Sequence, residues 1–339
     1  MRMKDHREKP PAHLTIRVGL QDDPVSQVTE YDTLRASVRY PSVVVRGPVF
    51  GFAEQRPEDG SRWRLLSDMD SGFPQLARDS LNSYLWFTAR DDTEDRKLRR
   101  RLLAAVARLD TRPVNEVAVG DTRYRIVRGD EFARIGPEGL EPPRPTDPEP
   151  PTGDLGGLGD RSPSRTKGFV VDHAAATGIM QGIQRMEVLS LAYRSERYPK
   201  DVREDSLRAL ETHPGVVLLP AAFAVAEEKE DAWEPLTVSL PTPLDARRSL
   251  VNHLTDILPR FHGVRGEEAA AYARAAEKYR AAPGDELRVR GRCFRIIRVE
   301  RLIRVGPDGP ETPRPSDHDP EPPMRIHPVM DDRGNIVRD

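Results

Sequence analysis

The stretch Arg125-Ile126-Val127-Arg128 is restated 170 positions later as Arg295-Ile296-Ile297-Arg298, and the echo runs outward in both directions. Downstream, Gly136-Pro137-Glu138-Gly139 returns as Gly306-Pro307-Asp308-Gly309, and Pro143-Arg144-Pro145-Thr146-Asp147 returns as Pro313-Arg314-Pro315-Ser316-Asp317. Upstream, Pro41-Ser42-Val43-Val44-Val45 with Phe50 and Ala53-Glu54 matches Pro214-Gly215-Val216-Val217-Leu218 with Phe223 and Ala226-Glu227. Trp63 and Leu66 likewise meet Trp233 and Leu236. An ordered series of matches at one slowly drifting offset is the signature of an internal duplication whose loops absorb insertions.

Each copy reads as helix, two strands, two helices, two strands and a proline-rich strap. Val43 to Ala53 and Trp63 to Leu66 are strand-like runs around the turn residues Arg56-Pro57-Glu58-Asp59-Gly60. Phe73-Pro74 opens a helix with proline in its first turn, and Thr93 is the expected N-cap of the next, whose stripe is Leu98, Leu102, Val106 and Leu109. Glu116 to Val119 and Thr122 to Arg128 flank the turn Gly120-Asp121. The fold class is therefore α+β, a tandem duplication of a small unit forming a pseudo-twofold pair. The divisions are an N-terminal arm 1–22, a first unit 23–151, a Gly/Ser/Pro linker 152–168, a connecting helical segment 169–200, a second unit 201–323 and a tail 324–339. In the connecting segment Ile179, Ile183, Met186 and Leu189 form a stripe expected to pack on the joined units. Trp63 and Trp233 are expected to be core residues of their respective units.

Composition excludes more than it suggests. The chain of 339 residues is 37% hydrophobic and 32% charged with a net charge of −2, so no global field marks a nucleic-acid or membrane binder. Seven lysines leave 46 of its 53 basic residues as arginine, a skew that fits a GC-rich genome. The single cysteine, Cys293, cannot form an intramolecular disulfide, and the first residues lack the apolar core of a signal peptide, which points to the cytoplasm. The longest apolar stretch, Val216 to Ala226, is interrupted by Pro220 and is too short to span a bilayer.

Phe50-Gly51-Phe52-Ala53-Glu54-Gln55-Arg56-Pro57, Gly72-Phe73-Pro74-Gln75, Ala77-Arg78-Asp79-Ser80-Leu81-Asn82-Ser83-Tyr84-Leu85-Trp86 and the two straps resemble an actinobacterial family known only as a domain of unknown function. The resemblance covers nearly the whole chain. It implies a soluble, cytoplasmic, actinobacterial protein and carries no activity, cofactor or catalytic residue with it.

The chemistry-bearing residues are few. The eight histidines are scattered without metal-ligand spacing, no Gly-x-Ser-x-Gly elbow or phosphate-loop motif is present, and no cofactor, metal or catalytic constellation is expected. His318-Asp319 reads as a surface loop. Arg78 and Arg247 lie in the first turns of matching helices, where an arginine beside free N–H groups can hold an anion, and the bland alternative is a salt bridge. Arg125 and Arg295, each followed three positions later by Arg128 or Arg298, admit the same two readings. In Arg96-Lys97-Leu98-Arg99-Arg100-Arg101, helical angles let Arg96, Arg99 and Arg100 share an exposed side as a modest patch for an acidic partner or nucleic acid. The expected function is a non-catalytic binding or regulatory protein engaging a protein or a small anionic ligand between its two units. The competing class is an enzyme with an active site assembled from both units. The third is a weak nucleic-acid binder using helix 94–109.

Overall fold

The computed structural model describes residues 15–19, 23–150, 155, 162–230 and 232–337. Its elements alternate between short helices and long antiparallel strands, giving an α+β fold around one sheet. Helix α1 (Pro24–Arg39) starts where Asp23 accepts the Ser26 N–H at 2.8 Å and Pro24 fills the first turn. Strands β1 (Ser42–Gln55) and β2 (Trp63–Leu65) form the expected hairpin, with Ala53 opposite Leu65. Helices α2 (Pro74–Asp91) and α3 (Arg96–Leu109) follow, then β3 (Glu116–Val119), β4 (Thr122–Gly136) and β5 (Gly139–Leu140). The cap of α3 is Asp95, which accepts the Lys97 N–H, rather than Thr93, whose hydroxyl instead accepts from Asp95 N. A carboxylate next to the helix start adds charge to the cap and wins over the hydroxyl two residues earlier.

Next come β6 (Val170–Val171), α4 (Ile179–Val188), α5 (Lys200–Thr212), β7 (Gly215–Leu218), β8 (Ala222–Lys229) and β9 (Ala232–Pro235). Helix α6 (Pro243–Asn252) is capped by Thr242 and runs through a π-helical turn, His253–Ile257, into α7 (Leu258–Phe261). Helix α8 (Gly266–Ala281) and strands β10 (Glu286–Val289), β11 (Arg292–Gly306) and β12 (Gly309–Pro310) complete the order.

Registers in the two halves coincide position for position. On β4, Arg134, Arg128 and Arg125 face Val43, Phe50 and Ala53 of β1, and on β11, Arg304, Arg298 and Arg295 face Val216, Phe223 and Ala226 of β7 and β8. One face of each half is covered by its own helices. Phe50, Phe52, Tyr124 and Ile126 pack on Leu81, Leu85, Leu102 and Val106, while Phe223, Val225, Phe294 and Ile296 pack on Leu250, Leu254, Tyr272 and Ala276. The long strands β4 and β11 then meet antiparallel, Asp130 opposite Leu302 and Glu131 opposite Arg301, so that one sheet runs through both halves. A third cluster joins them, with Ala53, Trp63 and Val127 against Val217, Ile303 and Val305. Both faces of the central strands are thereby covered, which is why β4 and β11 are buried over most of their length.

The straps cross over. The strap after β5 lies on the second half, where Arg298 N donates to Glu141 O at 2.9 Å, and the strap after β12 lies on the first, where Arg128 N donates to Glu311 O at 2.9 Å. Gly309 and Gly139 turn the straps at φ of +112° and +97°, and a Cβ on either would meet the ring of Trp63 or Trp233, respectively. Only glycine suits both the backbone and the contact.

Two expectations need correction. The stripe Ile179, Ile183, Met186 and Leu189 does not pack on the joined halves: the first three are exposed, and α4 buries Met180, Gly182, Gln184, Arg185 and Val188 instead. Gly182 lets α4 close on Val18, and polar Gln184 reaches Glu300, so close approach and hydrogen bonding choose the buried face over apolar periodicity. The two tryptophans also differ. Trp63 is 1% exposed beside β6, whereas Trp233 is half-buried because no strand among the described residues pairs with the outer edge of β9.

His253, in the π-helical turn, is buried with Nε2 unpartnered, near Phe294 and His262. Burial, helped by the charges of Arg292 and His262, pushes its pKa down to about 4. The folded state thus prefers neutral His253, so its contribution is intact above pH 6.5 and is lost as the pH falls toward 4. Between pH 7.5 and 4.5 this costs about 2–3 kcal/mol. His213 and His327, also shifted down by burial, add to the same window. Urea midpoints measured across this range are expected to fall, and His253→Gln to remove the largest single share. An unchanged slope in that variant would show that His253 is not the group responsible.

Candidate functional site

Between the halves lies a cavity of 380 Å³, walled by α1, the first strap, α4, the β7–β8 connection and β11. Its floor is a buried ion network. Arg298 binds Asp147 and Glu300, and Arg144 binds Glu141 and Glu300 while donating to Thr33 Oγ1 at 3.0 Å. Burial alone would raise the Glu300 carboxyl, but Arg298, Arg144 and Arg134 hold it below the usual carboxylate range. One oxygen, Oε2, is left without a hydrogen bond.

Two cations stand outside this network. Arg301 is 5% exposed and donates only to neutral oxygens: Thr166 Oγ1 at 2.8 Å, Pro220 O at 3.0 Å and Met69 O at 3.4 Å. Its Nε has no partner, and burial lowers its pKa against the pull of the more distant Glu131, Asp68 and Asp70. Among the described residues no carboxylate comes within 4.0 Å of it. Arg165, exposed, also has no ion pair or hydrogen bond among the described residues. Both arginines line the cavity, and both also line an adjoining space of 100 Å³ with Asp68, Asp70 and Ser239. The segment carrying Arg165 is held by Ser164, whose hydroxyl donates to Asp68 and accepts from Lys167 N, and by Gly168 N bonding Leu65 O. In the stretch read as a linker, residues 164–168 are thus fastened to the first half, while Ser162 bonds Asp245 and Thr242 and Leu155 packs in the core of the second.

The arginines singled out from sequence are engaged by the chain itself. Arg78, buried, binds Asp319 at 2.5 Å and Asn115 at 2.7 Å. Asp319 also accepts the Gln75 N–H at 2.9 Å and so caps α2 from the second strap, a role beyond that of a surface loop. Arg247 bridges Glu149 of the first strap and Asp285. Arg125 binds Glu116 and Asp308 and lies 4.6 Å over the Trp63 ring, and Arg295 binds Glu286 and lies 4.9 Å over Trp233. Their guanidiniums also collect strap carbonyls, Asp308 O and Pro310 O for Arg125, Glu138 O and Leu140 O for Arg295.

Arg99 does not share an exposed side with Arg96 and Arg100. It is 8% exposed and donates to Ala89 O at 2.8 Å, Asp332 O at 3.2 Å and Thr93 O. The last carbonyls of α2 lack helical partners, and a guanidinium from the next helix satisfies one. Arg100 pairs with Asp332, and Arg96 makes no ion pair among the described residues. A three-charge exposed patch is therefore not formed.

A family model matches residues 23–320, a span that includes both halves, both straps and every residue of the cavity. The chain belongs to the family of unknown function DUF5954. No curated protein and no solved structure matches it. In this DUF5954 member, no helix among the described residues is long and apolar enough to cross a membrane, and no group of three His, Cys, Asp or Glu residues converges as a metal site there. Cys293 is buried, and burial raises its thiol to about 11, away from nucleophilic use at neutral pH.

Proposed function

We propose that this protein is a non-catalytic binding protein, formed by tandem duplication, that takes up a small polar anion in the cavity between its halves. Coincident registers in β1·β4 and β7·β8·β11, together with the collinear sequence matches, support the duplication. The observation that carries the function is the pair Arg165 and Arg301, two guanidiniums lining one cavity without carboxylate partners among the described residues; Arg99, Arg185 and Arg304, also buried without a carboxylate, donate to backbone carbonyls and line neither that cavity nor the space beside it. An uncompensated buried cation is costly unless a counter-charge arrives. Thr29, Gln181 and Gln184 supply neutral hydrogen-bonding groups around it. The carboxylate Glu300 is held ionised by three arginines, which suits fixing charge rather than donating a proton, so binding is favoured over acid–base catalysis. A cytoplasmic setting fits the lone, buried thiol.

Titrating phosphate, pyrophosphate and citrate into the intact protein while following its melting temperature tests this. At least one is expected to raise the midpoint, by about 2.7 kcal/mol of added stability at a hundredfold excess over Kd. Arg165→Ala removes no hydrogen bond or ion pair among the described residues, so it is expected to leave the ligand-free midpoint unchanged and to abolish the shift. An equal shift in that variant would remove Arg165 from the site, and no shift with any anion would remove the reading.

A further inference from the structure

Trp63 and Trp233 stand at matching places on β2 and β9, with Ala53 opposite Leu65 and Ala226 opposite Pro235. Their outer neighbours differ. On β2, Leu65 donates its N–H to Phe169 O at 2.9 Å, and β6 pairs alongside with Val171 opposite Trp63. On β9 the corresponding residue is Pro235, which has no N–H, so the edge is closed to an added strand. What remains beside Trp233 is a cavity of 370 Å³, a volume suited to a small molecule.

Its walls are apolar, formed by Val45, Ile135, Leu140, Ala226, Trp233 and Ile297 from both halves. Two guanidiniums reach it. Arg46 is committed to Glu131 at 2.9 Å, Ser239 at 2.8 Å and Thr237 O. Arg197 is exposed, donates only to the Tyr198 hydroxyl at 2.7 Å, and has no ion pair among the described residues. One uncommitted cation at the rim of an apolar cavity matches one negative charge on an apolar body; a polyanion would leave its further charges against aliphatic walls.

We propose that this cavity is a second binding site, for a small apolar monocarboxylic acid whose body lies against Trp233 and whose carboxylate meets Arg197. It shares no lining residue with the cavity of Arg165 and Arg301, so the two readings stand or fall separately.

Calorimetric titration of the full chain with phenylacetate, octanoate and phenylacetamide tests it. At least one acid is expected to bind, with phenylacetamide about tenfold weaker than phenylacetate or not detected. Arg197→Gln is expected to weaken the acid about tenfold without changing the unfolding midpoint, since the exposed side chain engages only its neighbour Tyr198, at the hydroxyl and over the ring. Ala232→Trp, at an exposed lining position, is expected to fill the mouth and abolish binding. Failure of both acids to bind, equal binding of acid and amide, or acid binding untouched by Arg197→Gln would each overturn the proposal.

Discussion

Arg128→Met is expected to lower the stability of the protein by about 3–5 kcal/mol, because it strips the shared cation from two buried carboxylates. Arg128 is 1% exposed and binds Asp130 at 2.8 Å and Asp317 at 3.1 Å, one from its own strand and one from the crossing strap. Against the cost of burial, Arg128 and Arg314 hold Asp130 below its ordinary pKa, and the Tyr193 hydroxyl donates to it at 2.5 Å. Asp317, where burial wins, sits above its ordinary value even with Arg128 present. Without the guanidinium both acids must take up protons or draw in water. Equilibrium unfolding in urea measures the loss, and the double variant Arg128→Met/Asp317→Asn is expected to recover part of it because the two changes share one network. A loss below about 1 kcal/mol would place the cluster in contact with solvent, as an exposed pair would be.

Trp63→Ala is expected to cost about 3–5 kcal/mol, and Trp233→Ala well under half of that. The residues match in sequence, but Trp63 is enclosed by β6, by Gly309 and by the guanidiniums of Arg123 and Arg125, so truncation leaves a cavity that its neighbours cannot fill. Trp233 opens onto the cavity beside β9, where water can follow the removed ring. Equal costs measured by denaturant unfolding would contradict the difference in their surroundings.

The local architecture was legible because it is written in short-range signals. Alternation around Phe50 and Phe52, proline at the start of α2 and the Gly120 turn are read within a few residues of themselves, and the hairpins and helices appear where those signals lie. The α4 stripe misled because periodicity reports a preference for burial without naming a partner, and there close packing at Gly182 and the hydrogen bond from Gln184 decided the face. Arg99 misled in the same way, since helical angles place a side chain without showing that orphan carbonyls of α2 wait beside it. The candidate site was the least legible part. Arg165 lies in a Gly/Ser/Pro-rich stretch that reads as a connector, and its role depends on β11 reaching it across the fold. Arg301 did leave a trace. At the offset that aligns Arg128 with Arg298 it falls opposite Glu131, an inversion of charge at the one place where the two long strands face each other.

The exchanged straps also bear on how the chain is made. Arg128 and its second partner, Asp317, are 189 positions apart, so the first half leaves the ribosome long before that carboxylate exists. At about 5–20 residues per second, that interval is about 10–40 s. Throughout it the nascent first half lacks the strap that closes over Arg128 and Trp63, with its own strap still waiting for a second half to grip. Completion of the first half thus waits for the strap that ends the second.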